Sequence, residues 1–146
     1  MDALIGAEDG PARLLIMYHF HVNLFADPKE ASFASTWEDA AAMLERLPRM
    51  IFELDGSFVL SGDVERAERA GPSSAPIGTV TRWQVDGHLF DFAGRLHRVE
   101  LHGECPSTSF DELLRCVGWP RQPLIFEMVR EGITVSEKEF RQRANE

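Results

Sequence analysis

Two histidines stand one residue apart in the apolar run LLIMYHFHVNLF, Leu14 to Phe25. Neutral imidazoles at i and i+2 can share one zinc ion, and a catalytic site would add a third ligand and an open position. No HExxH or equivalent follows. The third ligand would have to come from another segment, and RVELHG, which echoes HVNLFA, carries His102. His19, His21 and His102 are therefore the candidate metal ligands, with zinc as the metal, and the same cluster could hold a small ligand or serve an enzyme. Against this stands an ordinary explanation. A half-buried strand needs polar residues at alternate positions, and histidine suits them.

Other chemistry is thinner. Cys105 precedes a helix start, where the positive helix end would lower a thiol pKa, but no histidine can be placed beside it. Cys116 flanks an apolar helical stripe and reads as packing. Glu53 and Glu127 occupy matching places in two IFE segments and could serve as paired carboxylates, but alternation favours each facing solvent between apolar neighbours. The glycines form no phosphate-binding pattern. With no motif that fixes a reaction, the balance falls against catalysis.

The chain has 146 residues and a net charge of −9. That length suits one domain with a proper core. The charge opposes binding to nucleic acid and to anionic membranes. It permits a basic partner. Two cysteines outside any CxxC pair read as reduced thiols. MDALIGAEDGPAR has no basic n-region, and no apolar run approaches the ~20 residues of a membrane helix. The expected location is the cytoplasm.

The elements that position these residues follow from periodicity. Residues 1–12 read as a loose tail and 13–146 as one α+β domain. In the first strand Phe20, Val22 and Leu24 point one way, and Met17, His19, His21, Asn23 and Phe25 the other. A helix is expected over 36–47, capped by Thr36, with Trp37, Ala40, Ala41, Leu44 and Leu47 on one face. MIFELDGSFVLSG reads as a hairpin turning at Asp55-Gly56 with both central φ values positive. DVERAERA, 63–70, reads as a short helix and GPSSAP, 71–76, as a flexible loop. TVTRWQVDGHLFDF, 79–92, reads as an inserted hairpin turning at Asp86-Gly87. That register pairs Trp83 with Phe90 and Arg82 with Asp91. AGRLHRVELHG follows as a third strand of this meander, which places His97 in the core beside Phe90, with His88 diagonal to it. A second helix is expected over 109–117, opened by a Ser109/Glu112 capping box. A strand PLIFEMV and a short C-terminal helix capped by Ser136 complete the chain.

An internal repeat runs through this order. TWEDAAAML matches SFDELLRCV, PRMIFEL matches PRQPLIFEM, and SFVLSGD matches GITVSEKE. The expected pseudo-repeats are about 13–70 and 95–146, each β-α-β-β. The fold is then a two-layer, mostly antiparallel sheet with two main helices on one face. Trp37 and Phe110 become equivalent core anchors. His21 aligns with Arg98 and Asn23 with Glu100. The face turned away from the helices carries His19, His21, Asn23, Arg98, Glu100 and His102, with Met17 and Phe25 at its edges. The reading favoured from these residues is a non-catalytic module that binds a protein partner or forms a homodimer through that face.

Overall fold

The computed structural model describes residues 16–27, 33–66 and 79–145, and of residues 65, 66 and 79 the backbone alone. The expected tail over 1–12 and loop over 71–76 lie outside the described residues. In chain order the elements are β1 (Met17–Ala26), α1 (Trp37–Glu45), β2 (Met50–Phe52), β3 (Ser57–Arg66), β4 (Thr79–Phe92), β5 (Arg95–Pro106), α2 (Ser107–Arg115), β6 (Leu124–Met128), β7 (Ile133–Ser136) and α3 (Glu137–Ala144). The fold is α+β. One seven-stranded sheet runs β2-β3-β4-β5-β1-β6-β7, and every neighbouring pair is antiparallel.

Strand phase puts the core on one side. Tyr18, Phe20, Val22 and Leu24 of β1 are buried, as are Val99, Leu101 and Cys105 of β5 and Phe126 and Met128 of β6. The apolar stripes of all three helices join that cluster through Ala40, Ala41 and Leu44, through Phe110, Leu113 and Leu114, and through Phe140 and Ala144. Arg141 anchors α3 to the rest. Its Nε donates to Glu137 at 2.8 Å and its Nη1 donates to the Tyr18 hydroxyl at 3.2 Å. Its Nη2 lies 2.8 Å from Asp111 Oδ1 on α2, an ion pair off the ideal hydrogen-bond line. Burial alone would lower the Arg141 pKa, but its bonds to Tyr18, Glu137 and Asp111 outweigh burial and raise it.

At the centre β1 and β5 lie side by side. Val22 pairs with Leu101, Asn23 with Glu100 and Leu24 with Val99. This pairing is unchanged when the two segments are exchanged in the alignment of the repeat, with Asn23 and Glu100 on the exchange axis. The connections that follow are not alike. From β5, α2 crosses one strand to reach β6, whereas from β1, α1 crosses three to reach β2.

The largest correction is at 79–92. It is no hairpin: β4 runs unbroken through Asp86-Gly87. Gly87 is an extended residue opposite Phe58, and a Cβ there would sit 2.1 Å from the Phe58 ring. Gly62 does the same for Trp83, whose ring would be 2.2 Å away. Each glycine is a gap into which the facing aromatic folds, a second use of strand glycine that competes with turn formation. The chain turns instead at Ala93 (φ 56°) and Gly94 (φ 83°), joining Phe92 to Arg95. Two positive central φ values make this the tight hairpin turn that matches strand twist.

Three smaller corrections follow. The β2–β3 hairpin forms, but only Gly56 has positive φ, at 99°. Gly56 N donates to Glu53 O and Glu53 N to Ser57 O, which makes a longer loop than a two-residue turn. Residues 63–66, expected to be helical, extend β3. Helix α2 opens at Ser107 after Pro106, without a side-chain cap, so Ser109 and Glu112 form no capping box. By contrast, Thr36 accepts from Asp39 N at 3.0 Å and Ser136 from Glu139 N at 3.2 Å, as their patterns predict.

Candidate functional site

Among the described residues no helix covers the second face of the sheet. Alternation from the core phase of β1 turns His19, His21, Asn23 and Phe25 outwards. The β5 register brings Glu100, His102 and Glu104 beside them, with Arg98 at the next outward position. The sequence expectation of one shared face for these side chains holds, except at one edge: Met17 is half-buried and packs against the core.

These residues are tied to one another. His21 Nε2 lies 2.9 Å from Glu100 Oε2, and its ring stacks on His102 with centroids 4.3 Å apart at 18°. His19 Nδ1 lies 3.0 Å from Glu104 Oε1. Asn23 bridges three strands: its Nδ2 donates to Glu127 on β6 at 2.9 Å, and its Oδ1 accepts from Arg98 on β5 at 3.0 Å. The Arg98 guanidinium lies over the Phe90 ring on β4, 3.8 Å from its centroid. Phe90 stacks on His88 at 4.2 Å.

The corrected path of β4 adds residues that sequence reading left out. His88 and Phe90 are on this face. Phe90 pairs with Arg98 and not with Trp83. A register shift after Phe90 leaves His97 as the extra residue of a bulge. His97 is therefore exposed and not in the core, between the Phe25 ring at 6.2 Å and the Phe92 ring at 6.3 Å. Phe92 is 73% exposed. Arg82, expected to pair with Asp91, approaches Asp63 at 3.7 Å. The glycines opposite Phe58 and Trp83 and the Ala93-Gly94 pair were the available signals for this path. All five histidines of the chain, His19, His21, His88, His97 and His102, lie on the uncovered face.

The metal candidates do not converge. His19 and His21 each engage a different glutamate, and among the described residues no group of three His, Cys, Asp or Glu is placed to hold a metal ion. The cleft lined by Ala34, Arg121 and Gln122 includes none of the paired side chains of this face, and the cleft lined by Arg49, Trp83 and Glu112 reaches it at Asp63, the ion-pair partner of Arg82. Glu53 sits in the β2–β3 turn and Glu127 within β6, so the two carboxylates are not a pair. Cys105 is fully buried, and burial, with Asp111 and Glu104 nearby, pushes its thiol up to about 12. Burial and Glu112 push Cys116 up to about 11. Neither is poised as a nucleophile, since the thiolate is the reactive form.

What remains is a broad face of paired polar groups with an aromatic end formed by Phe25, Phe90 and Phe92. Such a face offers contact area and no enclosure for a small substrate. No protein-family model, curated protein or solved structure matches the chain.

Proposed function

We propose that this protein is a non-catalytic interaction module that docks a protein partner or a second copy of itself through the uncovered sheet face. The observation that carries the reading is the aromatic end of that face, continuous with the ordered Phe90–Arg98–Asn23–Glu127 chain. Aromatic residues and arginine are enriched where protein interfaces concentrate their energy. A side chain held by its neighbours before binding loses less entropy on docking. An exposed Phe92 beside Phe25 and His97 is an apolar patch of the kind that marks contact sites. A cytoplasmic setting belongs to the same proposal and rests on two free, buried thiols.

The test is a pair of face variants compared with wild type by affinity capture and by sedimentation. Replacing His19 and His21 together by Ser, or Phe92 by Ser with Arg98 by Ala, should weaken assembly or capture at least about tenfold, the size expected of one lost contact centre. Stability should move by less than ~0.5 kcal/mol for the exposed positions. Wild-type assembly and capture in both variants would refute the reading.

A further inference from the structure

We propose that the cleft between the end of α1, β3 and α2 binds a small aliphatic α-amino acid, with the carboxylate held at Trp83 Nε1 and Arg49 and the ammonium at Ser109 and Glu112. The proposal goes beyond the interaction reading above and does not depend on it.

The cleft exists because two elements stop short. α1 ends at Glu45, and β2 pairs only with Phe58, Val59 and Leu60 of β3. From Ser61 onward β3 has β4 as its one strand neighbour among the described residues, with Gly62 opposite Trp83 and Asp63 opposite Arg82. The space left measures about 290 Å³, and Leu47, Pro48 and Leu60 give it an apolar wall. That volume is at the low end for ligand sites and suits a small molecule.

Trp83 supplies the observation that points to a ligand. The indole N–H of Trp37 donates to Leu89 O at 3.3 Å, and that of Trp119 to Glu137 at 2.7 Å. That of Trp83 has no acceptor among the described residues, although the residue is only 7% exposed. Its Nε1 edge lies against Gly62, which also lines the cleft: a Cβ at Gly62 would sit 3.0 Å from Nε1. Among the described residues the side-chain atoms sealed from solvent without a hydrogen-bond partner are Asp111 Oδ1 and Arg141 Nη2, so the Trp83 N–H is not sealed. A buried donor that is neither bonded nor sealed faces the cleft, and an acceptor placed there would complete it.

Two more unused groups stand on the α2 side. Ser109 and Glu112 carry the pattern of a capping box but do not cap the helix. Three residues apart, they share one face of α2, and both line the cleft. Among the described residues neither side chain makes a hydrogen bond or an ion pair. Arg49 stands on the β3 side. Its Nη1 donates to Asp63 at 3.0 Å, which leaves most donors of the guanidinium without a described partner. Asp63 is shared by Arg49 and, at 3.7 Å, by Arg82, so the β3 side keeps a net positive charge. Donors and positive charge therefore lie at β3, and acceptors with one negative charge at α2. A zwitterion matches both ends, whereas a simple anion or cation matches one. The apolar wall takes an aliphatic side chain.

The experiment is titration of L-leucine into the full chain, followed by the indole N–H signals in proton–nitrogen NMR spectra. The Trp83 signal is identified by elimination with Trp37→Phe and Trp119→Phe, both at half-buried positions. The expected result is a saturable shift of the Trp83 signal at millimolar leucine, with the other indole signals in place. Leucinamide lacks the carboxylate and N-acetylleucine the ammonium, and each should bind at least about fivefold more weakly, the size of one partly exposed charged contact. Ser109→Ala with Glu112→Gln removes no cap and should weaken leucine binding by a similar factor with the fold intact. A Trp83 signal unmoved by leucine would overturn the proposal. So would leucinamide or N-acetylleucine bound as tightly as leucine, or full affinity in the Ser109 and Glu112 variant. An equal response to isobutanol would reduce the cleft to an apolar crevice and overturn amino-acid recognition.

Discussion

The chain runs through one element order twice, β1-α1-β2-β3 and β5-α2-β6-β7, and the two runs end in different surroundings. Phe110, near the start of α2, is fully buried, with the rings of Tyr18, Phe20, Phe126 and Phe140 within 5.0–6.3 Å. Trp37, at the matching place in α1, is half-buried. Its ring meets Phe52 at 5.9 Å and its indole N–H donates to Leu89 O at 3.3 Å. The sequence repeat makes the two residues look equivalent. What separates them is the third layer of partners. The second run continues into α3, whose Phe140 stacks on Phe126 at 4.7 Å and on Phe110 at 5.2 Å. In the first run, β2 lies at the sheet edge. The matching element order and the exchange-invariant pairing of β1 with β5 support the proposed duplication. The two runs differ in the placement of β2, at the sheet edge, and β6, beside β1.

The sharpest way to break this comparison is to truncate both anchors. Phe110→Ala should cost ~3–5 kcal/mol, the range for a large aromatic lost from a close-packed site. Trp37→Ala should cost less, about 2 kcal/mol, because part of its ring already meets water and only partial burial is lost. Urea denaturation monitored by circular dichroism would measure both. Equal losses would mean that α1 has a full aromatic cluster beneath it, contrary to the placement of β2.

A second test concerns the strand that has no counterpart in the repeat. If β4 passes straight under Phe58 at Gly87, a methyl group at 87 collides with that ring. Gly87→Ala should cost about 1–3 kcal/mol through overpacking. Shrinking the ring should relieve much of that loss, so a double-mutant cycle of Gly87→Ala with Phe58→Leu should show coupling above about 0.5 kcal/mol. A hairpin turning at Asp86-Gly87 has no such neighbour and would give additive changes.

Much of the architecture was legible because it depends on short-range period and burial. The phase of β1 follows from Phe20, Val22 and Leu24 alone, and places His19 and His21 on the outer face. The antiparallel one-sided sheet follows from alternation in several strands. The error at Asp86-Gly87 has a physical source. A glycine can be selected for positive φ or for the missing Cβ, and a single sequence does not separate the two. Which use prevails depends on Phe58, 29 residues upstream. One wrong turn then displaced Phe90 and His97 to the core side and hid the aromatic end of the candidate site. The side-chain bonds of Asn23 were equally hidden, since β6 reaches β1 only through the crossover of α2.

The smallest expected effects compare the starts of the three helices. Thr36 and Ser136 accept from the backbone N–H three residues on, at 3.0 and 3.2 Å, so each satisfies a donor that the helix leaves free. Thr36→Ala and Ser136→Ala should each cost about 1 kcal/mol. Helix α2 solves the same problem differently. β5 runs directly into it through Pro106, and the first helical donor, Ser107 N, is taken by the Ile16 carbonyl at the head of β1, 2.8 Å away. Ser109 lies inside the helix and has no cap to lose, and alanine is the better helix former there. Ser109→Ala should therefore change stability by less than about 0.5 kcal/mol in either direction. Thermal melts of the three single variants would read the difference. A loss at Ser109 equal to that at Thr36 would restore the capping box and shift the start of α2 by three residues, from Ser107 to Phe110, bringing the two helices back into the equivalence that the repeat suggests.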